Sequence, residues 1–132
     1  SLRTDGYSIY EKISGEVTGK LKASKSITLG TGTKAIFVGY FKVWVVTGTS
    51  EPKYAYGTVT VYVDGEKIYV SPPIRTETTT SAWKNVETPW VKVVVDLSEY
   101  LGQTVTLEVE MSLWENGREA YMYFDDPFVA VE

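Results

Sequence analysis

Neither cysteine nor histidine occurs anywhere in the chain, and glutamine appears once, at Gln103. Without cysteine there is no disulfide framework and no thiolate metal site. Without histidine, the Ser-His-Asp triad and histidine-based zinc sites are excluded as well. Positive charge is neither in excess nor clustered: 13 Lys and Arg stand against 17 Asp and Glu, a net charge of -4. That balance argues against a nucleic acid or an anionic membrane as partner. No apolar run approaches the roughly 18 residues of a membrane span. Scarce Gln, few Asn and no Cys are compatible with a thermophilic source. A signal peptide is missing too, but the chain opens on Ser1 rather than Met. It therefore reads as a piece cut from a longer precursor, and a signal could have gone with the missing part.

What is present is mostly strand signal. The 132 residues suffice for one domain, 1–132, with a sizeable core. Val and Thr dominate, Gly and Pro punctuate, and period-two alternation recurs from end to end. Opening strands are expected at 7–13, 16–24 and 24–29. The run "KAIFVGYFKVWVV" (34–46) is apolar on both faces and so belongs at the centre of a sheet. Asp64-Gly65 predicts a tight type I′ hairpin within 56–70, with Val59, Val61 and Val63 on one face and Thr58, Thr60 and Tyr62 on the other. Residues 71–89 read as a long Pro- and Thr-rich loop carrying Trp83. Strand 90–97 follows, then a turn ended by Gly102. In strand 104–114, Val105, Leu107, Val109, Met111 and Leu113 point inward and Glu108, Glu110 and Trp114 outward. Asn116-Gly117 predicts a second hairpin onto the final strand. Eight or nine such strands suit an all-β, antiparallel sandwich. Its core is expected to contain Val59, Val61, Val63, Val93, Val95, Val105, Leu107, Val109 and Met111.

The closing segment, "YMYFDDPFVAVE", sets two neighbouring carboxylates in a strand, where successive side chains take opposite faces. Asp125 and Asp126 cannot both reach water unless the strand bends. Pro127 cannot donate to a ladder, so an edge or a bulge is expected just there. A Trp before "VDLSEYLGQTVTLEVE", followed by an aromatic strand ending in "YFDDPFVAVE", resembles the galactose-binding-like jelly rolls. That family includes many carbohydrate-binding modules and accessory domains of secreted hydrolases. The resemblance covers 90–132 and extends over 35–70. Its usual closing motif has a small aliphatic residue where Pro127 stands.

A buried carboxylate is neutralised, paired or bound to a metal. Ca²⁺ suits a chain with oxygen donors only, taking 6 to 8 of them at about 2.3–2.6 Å. The resemblance implies a structural calcium between the first strands and the closing strand. Asp125 or Asp126 would be one ligand, with Glu11, Glu16 or Asp5 and backbone carbonyls completing the set. The alternative is that one aspartate pairs with Lys or Arg while the other accepts backbone N–H groups at a bend.

Aromatic residues make up 14% of the chain. Their flat, amphipathic rings stack on the C–H faces of sugars and also serve many protein interfaces. Trp83 sits in a polar loop, Tyr54 and Tyr56 enter a strand, and Trp114 ends an outward row beside Arg118. These five are the candidate ligand residues, whereas Trp44 and Trp90 lie in apolar runs and are expected in the core. Glu108 and Glu110 share one strand face about 7 Å apart, a spacing that a glycosidase pair could have. They read instead as an exposed, solvated row with no nucleophile or cofactor motif nearby. "GTGTKAIF" is a turn rather than a phosphate loop, because no helix follows it.

The expectation is a non-catalytic carbohydrate-binding module with a structural calcium, part of a secreted or cell-surface protein and an appendage to a larger enzyme. Its partner is a polysaccharide or glycan. The alternative is a structural or stabilising jelly roll, a protease accessory or cell-envelope domain, that meets protein rather than sugar.

Overall fold

The computed structural model describes residues 9–14, 17–47, 53–78, 84–115 and 119–132. They form β1 (Ile9–Ser14), β2 (Val17–Thr28), β3 (Ala35–Thr47), β4 (Lys53–Val63) and β5 (Glu66–Val70). After these come β6 (Ile74–Thr78), β7 (Lys84–Glu87), β8 (Val91–Asp96), β9 (Thr104–Glu115) and β10 (Glu119–Val131). One 3-10 turn, Ser98–Tyr100, precedes β9. The strands build two antiparallel sheets, so the fold is the all-β sandwich expected from the alternation, with the jelly-roll order that the resemblance implied. Among the described residues no helix is long and apolar enough to cross a membrane.

The first sheet runs β1-β10-β3, and β3 then pairs with β8 along Ile36–Phe41 and with β7 along Trp44–Thr47. The second runs β2-β9-β4, with β6 and β5 sharing the far edge of β4. The chain switches sheets between β1 and β2, β2 and β3, β3 and β4, β6 and β7, β8 and β9, and β9 and β10. All nine residues assigned to the core from alternation are buried. Ala35, Phe37, Phe41 and Val43 of β3 join them, with Met122, Phe124 and Val129 of β10. The rings of Phe37 and Phe124 stack at 6.2 Å.

The Asp64-Gly65 turn has positive φ at both positions, 50° and 83°, as a type I′ hairpin demands. Asp64 Oδ1 also accepts the Thr106 N–H at 2.8 Å, tying the turn to β9. The bulge expected at Pro127 is present. Asp125 pairs with Tyr40 and Phe128 with Val38, so Asp126 and Pro127 stand against Gly39 alone.

Three expectations are corrected. Residues 17–28 form one continuous strand rather than two. The stretch 71–89 contains β6 and β7, whose short runs the Pro and Thr content concealed. Finally, β9 and β10 are not a hairpin: β9 lies between β2 and β4, while β10 lies in the opposite sheet between β1 and β3. Both edges of β9 are already paired over nearly its whole length, which leaves no ladder for β10 to join. The Asn116-Gly117 pair itself falls outside the described residues.

Candidate functional site

Along β4 the inward residues Ala55, Gly57, Val59, Val61 and Val63 are buried, so Tyr54, Tyr56, Thr58, Thr60 and Tyr62 line the outer face. Trp114 of β9 does the same in its own alternation. The β4–β9 register sets Tyr56 directly opposite Trp114. Facing side chains on an antiparallel pair lie close enough to touch, and aromatic rings also reach the diagonal neighbour. Accordingly Trp114 stacks on Tyr56 with centroids 5.3 Å apart and meets Tyr54 at 5.1 Å, tilted by 34°. On β6, Arg75 pairs with Tyr56 in register and lays its guanidinium 4.1 Å from the Tyr54 centroid.

The result is a shelf of three rings with a cation at one end. Tyr56 is 39% exposed, a large ring left in water. Beside it lies an open depression of about 120 Å³ lined by Tyr56, Thr58, Ser112, Leu113 and Trp114. Pockets that enclose a drug-sized ligand are roughly 300–1,000 Å³, so a ligand here would rest across the surface. The hydroxyls of Thr58 and Ser112, paired across the strands, put hydrogen-bonding groups beside the rings.

Farther along the same face, Glu110 is buried to 7% exposure, against the expectation of a solvated row. Neighbouring strands cover it: Lys22 Nζ of β2 lies 3.5 Å from both Glu108 Oε1 and Glu110 Oε2. The Tyr62 hydroxyl of β4 donates to Glu110 Oε1 at 3.4 Å. Glu108 first, then Glu110, hold the Lys22 pKa above its ordinary value. Both glutamates thus have one cation between them, and the patch supplies fixed polar groups beyond the shelf.

Three of the five ligand candidates are therefore gathered in one place: Tyr54, Tyr56 and Trp114. Trp83 and Arg118 lie outside the described residues, as do Asp5 and Glu16. Glu11, Asp125 and Asp126 belong to β1 and β10, but their side chains are outside the described set. Among the described residues no three acidic side chains gather to hold a metal ion. Arg75 was missed because its segment reads as loop, and Thr58 and Ser112 because small hydroxyl residues are ordinary on an outer face. Outward parity flagged Trp114, whereas Tyr54 and Tyr56 were flagged as loop residues entering a strand and lie within β4.

Trp90 departs from expectation in the other direction. It is 46% exposed, not part of the core. Trp44 is half-buried, alternating with the fully buried Val43 and so turned to the outer side of the first sheet.

Comparison with protein-family models and with curated proteins gave no match. Among solved structures the chain is similar to TmCBM61 in complex with β-1,4-galactotriose, at 16% identity and a TM-score of 0.41. That match covers 92% of this chain and 69% of that one. It is similar to the VP2 subviral particle of infectious bursal disease virus at 11% identity and a TM-score of 0.47, over 95% of this chain and 35% of that one. It is similar also to the EclA C-terminal domain, a sugar-binding protein, at 15% identity and a TM-score of 0.39, over 96% and 81%. Fold does not determine ligand, so function has to be read from the side chains of the shelf.

Proposed function

We propose that this domain is a non-catalytic carbohydrate-binding module that holds a polysaccharide on the outer face of its second sheet. The observation that carries the reading is the shelf of Tyr54, Tyr56 and Trp114, with Arg75 against one ring. Pyranose rings have an apolar C–H face that stacks on indole or phenol, while their hydroxyls take hydrogen bonds from groups at the rim. Thr58, Ser112 and Arg75 are such groups. A shallow, open surface suits a polymer chain, and rings held by cross-strand packing have little conformational entropy to lose on binding. Secretion or display at a cell surface, as an appendage of a larger protein, belongs to the same reading.

Affinity electrophoresis through gels containing xylan, β-glucan, galactan or mannan tests it. Retardation by at least one polymer, lost on adding the matching oligosaccharide, is the expected result. Free migration through all four gels, with a folded protein, would exclude the reading.

A structural calcium at the closing strand is part of the proposal. In its support, the chain has only oxygen donors to offer, and a bulge at Asp125–Phe128 takes backbone groups off the ladder beside the two aspartates. Among the described residues, pairing between β1 and β10 reaches Ile9 with Phe124, next to that bulge. An ion that binds only the folded state stabilises it by about 2.7 kcal/mol at one hundred times its Kd. Chelator is therefore expected to lower the melting temperature by several degrees, and Asp125→Ala or Asp126→Ala to remove that sensitivity. An unchanged melting curve, with no calcium by elemental analysis, assigns the aspartates to ion pairing and backbone N–H groups instead.

A further inference from the structure

Lys42 follows the fully buried Phe41 and precedes the fully buried Val43, so its side chain stands on the outer side of the first sheet. Directly across the β3–β10 ladder is Tyr123. The Lys42 ammonium lies 4.8 Å from the Trp90 centroid and 5.5 Å from that of Tyr123. The two rings meet edge to face at 6.4 Å, and Glu87 Oε2 lies 3.3 Å from Lys42 Nζ. An exposed indole thus has a cation over one side of its ring and a carboxylate holding that cation.

The segment carrying Trp90 is held rather than loose. Thr88 donates its N–H to the Val43 carbonyl at 2.9 Å, and its hydroxyl accepts the Val43 N–H at 3.1 Å. Pro89 then restricts φ immediately before the tryptophan. A large ring is thus held in place and left 46% exposed.

We propose that Trp90, Tyr123, Lys42 and Glu87 form a second site for a neutral sugar ring, on the face opposite the Tyr56–Trp114 shelf. The choice of ligand class rests on the function proposed above. A neutral ligand suits the pair beside the ring: Glu87 offsets Lys42 at 3.3 Å, so that pair selects neither an anion nor a cation. What remains is an apolar ring face, donors on the ammonium and acceptors on the carboxylate, the complement of a polyol ring. The two sites face away from each other across sheets that pack about 10 Å apart, so one sugar ring cannot touch both. The domain is then bivalent and can bridge two polysaccharide chains.

Indole N–H resonances report the two sites separately in a single NMR titration. The probes are cellotetraose, xylotetraose, galactotetraose and mannotetraose, with assignments from Trp90→Phe and Trp114→Phe. With at least one probe, the Trp90 and Trp114 signals are both expected to move and saturate. Movement of Trp114 alone overturns the second site and leaves the shelf standing. Movement of Trp90 alone overturns the shelf and the bivalence, and no movement of either overturns both readings. Bridging has its own readout. Wild-type protein should precipitate a long soluble polymer of the same sugar, and Trp90→Ala and Trp114→Ala should each abolish this. Each single variant should also bind the immobilised polymer ~100-fold more weakly, the loss of avidity expected when one of two linked sites goes. Precipitation that persists in Trp90→Ala would overturn the proposal.

Discussion

Trp114→Ala is expected to raise the Kd for an oligosaccharide at the shelf by about 30-fold or more, the effect of losing roughly 2 kcal/mol at an aromatic hot spot. Trp114 is the keystone of the shelf because both other rings lean on it, Tyr56 at 5.3 Å and Tyr54 at 5.1 Å. Removing it takes away one stacking surface and frees the two tyrosines to rotate, so the ligand must order them on binding. The fold should survive. Trp114 is half-buried on an outer face, and aromatic pairs of this kind contribute only about 0.5–1.5 kcal/mol each. Trp114→Phe should recover part of the affinity, and Arg75→Ala should cost less than either. Titration calorimetry with the retarding sugar, beside a denaturant melt, separates binding from stability. Affinity unchanged in a folded Trp114→Ala protein would remove the shelf from the binding site.

Part of this site was legible from parity. Tyr56 and Trp114 occupy outward positions in strands whose inward Val, Leu and Met residues are all buried. That the two strands are neighbours in register is a long-range fact, which alternation within a strand does not encode. The same limit explains the false hairpin. An Asn-Gly pair marks a reversal of the chain, but the next strand goes where an edge is free, and β9 had none. Trp90 was assigned to the core from the apolar run around it, although it shares the parity of Lys92, Val94 and Asp96, all exposed. Glu110 was misread for the opposite reason. It is on the outer face as expected, but Lys22 and Tyr62 from two other strands close over it. Pro127, by contrast, acts through its own missing N–H, and the bulge it predicted is there.

That bulge leads to the largest stability effect expected here, at Gly39→Ala. A Cβ on Gly39 would fall 2.3 Å from Phe124 Cζ and 3.0 Å from both Cε atoms, inside contact distance with a fully buried ring. Phe124 has nowhere to retreat, since its ring is stacked on Phe37 within the sandwich. Overpacking a dense core usually costs about 1–3 kcal/mol, and this site should fall at or above the upper end. The backbone has little freedom to absorb the strain either. Gly39 sits mid-strand, paired with Val93 on one side and facing the two residues of the bulge, Asp126 and Pro127, on the other. Gly30→Ala is the control, because nothing lies within 4 Å of the added methyl there. It should change stability by no more than ~0.5 kcal/mol. Phe124→Leu should recover part of the loss when added to Gly39→Ala, although it is destabilising alone, and a double-mutant cycle from urea melts measures that coupling. Additive losses with no coupling would mean that the ring is not what excludes a side chain from position 39. The bulge with its paired aspartates would then have to be held by the Pro127 backbone alone.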